Sequence, residues 1–476
     1  MYYNIKINVR SMLMPINSFD NYPMGWKPDP SRLKRPYYQS IAELLENDIN
    51  SGYITPDTKL PPQRELADYL DLNFTTITRA YKLCERRGLI YTITGSGTFV
   101  SPHAAKSITI SAASDQKQLI ELGMVHSFEQ TNSLVNETIK KVGHLPDLDV
   151  LINYNYPNGL PHHRQAGLTW MAQFGIHVDL EHLSIVSGSQ NALAIALTAL
   201  FEPGDYIATD YLTYSNFIEL ARILHFQLLP VPMDDNGILP AELIYLCNKF
   251  PVKGIYLMPC CNNPTAIEMT DQRKKEISDI IEKYQMILIE DDTMAFLSAA
   301  YNPDKQPIFQ LIPEQSVYIC GTGKSICSGL RIAYIVYGDR FSSKIRNSLY
   351  NINVKTSSLD AEIISRLIVS GKANKICNEK IKLSQNANDL FKKYFPDVIL
   401  KGNPYSFFRF IPLASSDRAN KCEAYLQELG VRVFSTNRFL TSNSKNYSGL
   451  RIALSSTHNM DELENGLRIV SNYLRC

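Results

Sequence analysis

SVYICGTGKSICSGLRIAY (316–334) decides the fold of most of this chain. Its first six residues read as a short apolar strand bounded by a glycine turn. Lys324 follows that strand, and Arg331 comes seven residues later. Upstream, LSIVSG (183–188), DYIATD (205–210), KGIYLMP (253–259) and MILIEDD (286–292) have the same strand character, with helical patterns between them. Short apolar strands alternating with helices predict a mainly parallel α/β sheet. Downstream the pattern changes. A helical stretch (352–394) precedes strand-like SFFRFIPL (406–413), helical NKCEAYLQELG (420–430) and strand-like GLRIALSS (449–456). This predicts a large α/β domain over 121–345 and a smaller α+β subdomain over 346–476.

Two further features face the ligand crevice of such a sheet. Ser187-Gly188-Ser189-Gln190 follows a strand and opens the helix NALAIALTAL, where free backbone N–H groups suit a phosphate. Asp291 ends the strand MILIE, and a carboxylate at a strand's C-terminal end lies at the crevice. A pyridoxal phosphate (PLP) site needs a lysine for the Schiff base, a carboxylate on the ring nitrogen, phosphate donors and an aromatic lid. Lys324, Asp291, Ser189 with Arg331, and Tyr214 supply them in order. Taken singly, each has an ordinary reading: a helix cap at Ser189, a core tyrosine at 214, a surface lysine at 324.

The first hundred residues differ. A tail with four prolines (1–35) precedes a helical module (36–102), and a Ser- and Ala-rich linker (103–120) follows it. YQSIAELLENDINSG (38–52) is one helix; Pro61 and Pro62 open a second, RELADYL (64–70). Asn73 caps a third, TTITRAYKLCERRG (75–88), and LIYTITGSGTFV (89–100) reads as a hairpin through Gly95-Ser96-Gly97. Three helices and a hairpin are the order of a winged helix-turn-helix, with the third helix in the DNA major groove. Thr75, Thr76, Thr78 and Arg79 suit base edges and phosphates, and Lys82, Arg86 and Arg87 extend the positive face. The formal charge of +1 adds nothing to this, because 48 cations balance 47 acids. A helical packing domain with solvated charges is the competing reading.

Nine scattered cysteines without a CxxC pair suit a reducing cytoplasm and argue against a disulfide framework or a zinc site; no metal is expected. No apolar run reaches membrane-spanning length, and MYYNIKINVRSMLM (1–14) is not a convincing signal peptide; a start at Met14 or Met24 is equally compatible.

KLPPQRELADYLDLNFTTITRAYKLCERRGLIYTITGSGTFV (59–100) resembles the GntR-family winged helix. The resemblance implies DNA contacts by Arg64, Thr76 and Arg79 and a wing tip at Gly97-Thr98. Pro62, Phe74 and Ser96 depart from the family's usual Ser, Arg and Arg. Residues 154–453 resemble the fold-type-I aminotransferases. By that resemblance Tyr154 reaches the phosphate of the neighbouring subunit's cofactor, and Ser189 and Gln190 hold the phosphate. Tyr214 stacks on the ring, Asn263 bonds its hydroxyl and Asp291 its nitrogen. Lys324 carries the Schiff base, Arg331 pairs with phosphate, and Arg451 grips an α-carboxylate. Ala266 stands where the family has Gly, and Thr293-Met294 where a Tyr is usual. Gly321 and Gly323 replace hydroxyl residues, and Tyr405-Ser406 replaces a pair of glycines. The two modules together have the layout of the MocR subfamily of regulators. That layout implies a cytoplasmic homodimer on double-stranded operator DNA, with PLP-dependent sensing of an amine, an amino acid or PLP itself. A working aminotransferase with an accessory DNA-binding module is the alternative, and a PLP-free dimerisation domain a third.

Overall fold

The structure is a computed structural model that describes residues 25–50, 53–54, 58–86, 89–93, 97–100, 119–154, 156–441 and 447–475. The expected tail up to residue 24, the linker up to 118, Gly95-Ser96, Arg87 and Gly88 lie outside them. The chain divides into two compact units, Met1–Ser107 and Ile108–Cys476.

In the first unit, helices Tyr37–Asn50, Gln63–Leu70 and Phe74–Arg86 precede an antiparallel hairpin of Ile90–Ile93 and Gly97–Val100. The third helix starts at Asn73, whose Oδ1 accepts from Thr75 N at 2.9 Å and so satisfies a first-turn N–H. Ile77, Ala80, Tyr81 and Cys84 form its buried face, spaced so that they fall on one side of a 3.6-residue helix. Trp26 enters the same core at 1% exposure and donates through Nε1 to Asp48 Oδ2 at 2.9 Å. Within 25–35, the described part of the expected tail, Trp26 and Leu33 join this core, while most of the other residues are exposed.

The second unit is built on a seven-stranded sheet. Its order is Leu183–Val186, Ala333–Tyr337, Ser316–Gly321, Ile287–Asp291, Val252–Leu257, Tyr206–Asp210, Gln227–Val231. Only Ala333–Tyr337 runs antiparallel to its neighbours. Every residue of Leu183–Val186, Ser316–Gly321 and Ala333–Tyr337 is buried, as expected of strands covered on both faces. Fully burying each Ile, Leu or Val here contributes roughly 1.5–3 kcal/mol.

A second, three-stranded antiparallel sheet holds Phe408–Pro412, Gly449–Ala453 and Phe434–Ser435. The stretch expected as helical over 352–394 is interrupted. Helix Asp339–Asn353 ends at Val354 (φ 57°), and helices Ser358–Val369 and Lys372–Tyr394 are separated by Gly371 (φ 71°). Position 345, where the large domain was expected to end, falls within the first of these helices.

Candidate functional site

The C-terminal ends of the central strands open into a cavity of about 410 Å³. Ser189, Gln190, Tyr214, Asn263, Asp291, Lys324, Arg331 and Arg451 all line it. Tyr154 does not. It lies 89% exposed beside Pro157, Tyr350, Val354 and Lys355.

Lys324 sits in a single helical turn, Thr322–Ser325, directly after its strand. Its Nζ donates to the carbonyl of Val125, on a segment far away in sequence. Burial holds its ammonium down to about 8, helped by the charges of Arg451, Lys380 and Arg331. Lys380 is itself fully buried. Its Nζ donates to Lys324 O at 3.1 Å, Ile326 O at 2.9 Å and Ser127 Oγ at 3.1 Å, so it fastens the lysine-bearing turn to the same segment. Burial also lowers Lys380 to about 8.

Asp291 is buried at the end of its strand, where Thr293 Oγ1 donates to Oδ1 at 2.8 Å and Tyr256 OH to Oδ2 at 2.9 Å. Burial raises its carboxyl above the usual range against those two hydrogen bonds. Among the described residues no cation pairs with it, which leaves a buried carboxylate suited to a protonated ring nitrogen. Asn263 Oδ1 accepts from Arg451 Nη1 at 2.7 Å, and Arg451 Nη2 donates to Gly123 O. Arg451 has no ion pair among the described residues, its Nε is buried without a partner, and burial lowers it to about 9. A buried guanidinium without a carboxylate is poised to take one.

Ser189 begins helix Ser189–Leu200 after Gly188, whose φ is 90°. A Cβ at Gly188 would lie 2.7 Å from Arg331 Nη2, so only glycine lets the guanidinium cross the helix start. Arg331 also holds a positive φ of 50°. A Cβ at Gly321 would meet Ser189 Oγ at 2.3 Å. The glycine that read as a lost hydroxyl is thus the space that Ser189 fills. Gln190 Oε1 is buried in the cavity wall without a partner. The Ser189 hydroxyl, the backbone N–H groups at the helix start and the Arg331 guanidinium are the donors here that fit a bound phosphate.

Sequence reasoning missed several lining residues: Met124, Val125, Asn216, Asp292, Ser328 and Phe408. Asp292 follows Asp291 directly; its Oδ2 accepts from Tyr318 OH at 2.9 Å and Cys260 Sγ at 3.2 Å, while Oδ1 is unpartnered. Outside the cavity, His162 and His163 Nε2 both bond Glu362 Oε2, at 2.7 and 2.8 Å. Arg366 Nε already donates to Glu362 Oε1 at 2.6 Å, so that carboxylate is neutralised and the cluster is a hydrogen-bonded knot between two helices.

In the first unit, Thr75 and Arg79 are exposed on the third helix, and Thr76 and Thr78 are half-buried. Arg64 stands over the Phe74 ring at 5.9 Å and Arg79 over Tyr38 at 4.5 Å. Thr78 Oγ1 donates to Gln63 Oε1 at 2.9 Å, which fixes the angle between the second and third helices. Gly97 opens the second wing strand with φ 124°, and Thr98 lies beside it at half-burial.

The model of the aminotransferase class I and II family matches residues 98–470, and that of the bacterial regulatory proteins of the gntR family matches residues 37–100. The HTH-type transcriptional regulator YdeF of Bacillus subtilis is 33% identical over 461 residues, spanning 97% of this chain and 99% of that protein. YjiR of Escherichia coli, also an HTH-type transcriptional regulator, is 25% identical over 404 residues, 78% of this chain and 84% of its own. Among solved structures, an archaeal alanine:glyoxylate aminotransferase aligns with a TM-score of 0.69 at 20% identity, over 75% of this chain and 91% of that one. The kynurenine aminotransferase of Pyrococcus horikoshii, solved with PMP, gives 0.69 at 20% identity, over 76% and 91%. At these identities the structural likeness concerns the fold. The matches cover both units, and the chain belongs to the GntR-type DNA-binding transcription regulators of MocR architecture, in which a winged helix precedes an aminotransferase class I and II domain.

Proposed function

We propose that the second unit holds pyridoxal phosphate on Lys324 and senses a small amine or amino acid, so that a cytoplasmic homodimer changes its grip on operator DNA. One observation carries this reading: eight polar and aromatic residues expected around such a group line a single cavity, with an uncompensated guanidinium among them. Ser189, the helix N–H groups beside it and Arg331 would hold the phosphate. Asp291 would hold the ring nitrogen, Asn263 the ring hydroxyl, and Tyr214 the ring face. When bound, pyridoxal phosphate supplies an aldehyde that condenses reversibly with primary amines.

The chain's own groups do the rest. Lys324, lowered to about 8, offers a substantial neutral fraction near physiological pH. Arg451 binds the effector's carboxylate and releases Asn263 as it does so. Tyr154, exposed on one protomer, would serve the neighbouring subunit. On DNA, Arg64, Thr75, Thr76, Thr78 and Arg79 would meet bases and phosphates, with Gly97-Thr98 at the wing. An effector shifts DNA affinity only as far as it binds the two states differently.

Met294 lies at the cavity where a ring-facing tyrosine is usual and offers no hydrogen bond, which favours sensing over sustained turnover. The test is an absorbance spectrum of the full chain with added pyridoxal phosphate, before and after borohydride, with peptide mapping. A visible band that becomes fixed to Lys324 supports the reading. No band and no adduct overturn it.

A further inference from the structure

We propose that Phe74 reads a thymine methyl group in the operator. The inference rests on the assignment of Phe74–Arg86 as the helix that enters the major groove. Phe74 is the first residue of that helix, and the N-terminal residues of a recognition helix are the ones that approach base edges. Its ring is 44% exposed, while Ile77, Ala80, Tyr81 and Cys84 on the same helix are between 0% and 2%. Phe74 also stands apart from the unit's hydrophobic core, whose partly buried members are Leu33, Tyr38, Tyr69, Leu72 and Leu83.

The backbone that carries the ring is fixed at the helix start. Asn73 caps the helix through Thr75, fixing the backbone at the first turn. The Arg64 guanidinium lies 5.9 Å from the ring centroid. A large apolar side chain thus stands exposed at the start of the helix assigned to the groove, among hydroxyl and guanidinium groups.

A phenyl ring neither donates nor accepts a conventional hydrogen bond. Of the four standard bases, only thymine presents an apolar group, its methyl, to the major groove. The neighbouring Thr75 and Arg64 offer hydroxyl and guanidinium groups, and Phe74 offers the largest apolar surface at this end of the helix. Both partners are apolar, so the contact contributes through removal of surface from water.

The test uses the full chain. A random duplex pool is first selected on it to give a consensus site. Each thymine of that site is then replaced singly by deoxyuridine, which keeps base pairing and removes only the methyl. The expected result is one thymine per half-site whose replacement weakens wild-type binding about fourfold, the worth of one buried methyl group. Phe74→Ala should lose a similar factor on thymine DNA and be indifferent to the replacement. If Phe74→Ala folds poorly, Phe74→Arg takes its place at the exposed position and should likewise be indifferent to the replacement. Deoxyuridine replacement that is without effect at every thymine, or that affects wild type and F74A equally, overturns the proposal while leaving the winged helix intact. A chain that selects no DNA overturns the winged-helix assignment and this proposal with it.

Discussion

Arg451 Nη1 donates to Asn263 Oδ1 at 2.7 Å, which ties the group expected to grip a carboxylate to the group expected beside the cofactor ring. Arg451 lies on strand Gly449–Ala453 of the small sheet, and Asn263 in the turn after strand Val252–Leu257 of the large one. A carboxylate arriving at Arg451 competes for the same guanidinium, so effector binding is felt at Asn263. Charge-assisted hydrogen bonds contribute roughly 1.5–3 kcal/mol. Arg451→Met should therefore lower the affinity for an α-amino acid effector about 10- to 100-fold. Its response to a simple amine without a carboxylate should change little. Spectral titration of the loaded protein with each compound checks this.

The pH dependence of stability follows from two buried lysines. Lys324 and Lys380 are both lowered to about 8, so the folded chain releases their protons before the unfolded chain does. Below that value both states are protonated and the full cost of burying the charges is present. As pH rises from about 8 toward the ordinary lysine range, stability grows. Buried thiols such as Cys261, raised to about 12, pull the other way as they approach titration. The informative quantity is therefore the wild-type-minus-variant difference for Lys380→Met. It should move in favour of wild type by about 1–2 kcal/mol between about pH 7.5 and 9.5. Urea midpoints at the two pH values measure it.

Ala266 holds a φ of 63°, a left-handed conformation that a Cβ disfavours by roughly 1–2 kcal/mol. Its carbonyl oxygen packs against Gly402, and it is 1% exposed, so the backbone is held there by its surroundings. Ala266→Gly should leave stability within about 0.5 kcal/mol of wild type, because the strain relieved is offset by the added freedom of the unfolded chain and the loss of a buried methyl group. A thermal melt of the cofactor-free protein reads this directly.

Tyr154 is 89% exposed, and removal of its hydroxyl costs the isolated chain nothing visible. If it serves the neighbouring subunit, Tyr154→Phe should leave the melting temperature of the cofactor-free protein unchanged. It should weaken pyridoxal phosphate binding by about fivefold, the worth of one hydrogen bond. The effect should vanish at protein concentrations too low for dimers. Cofactor titration across a dilution series measures it.

Much of this was legible in the sequence because strand ends and helix starts carry the site. Ser189, Asp291 and Lys324 each sit where a periodic pattern stops, and all three reach one cavity. What escaped the sequence works through backbone. Val125 and Gly123 hold Lys324 and Arg451 by their carbonyl oxygens, which every residue type possesses. Lys380 looked like any lysine on a polar helix, yet its ammonium is buried on three oxygens. Gly321 was misleading for a similar reason: its lack of a side chain makes room for Ser189 Oγ. The indole of Trp26 joins the core of the first unit from a Pro-rich segment without helical periodicity, so no pattern marked it.

In the proposed function, Lys324 links a small amine to DNA affinity. This link is tested most directly by measuring operator affinity of the wild type and of Lys324→Ala, with pyridoxal phosphate, across a panel of amines and amino acids. The wild type should change affinity with at least one compound, and Lys324→Ala should stay at a single value throughout. A Lys324→Ala protein that still switched by the wild-type factor would contradict it.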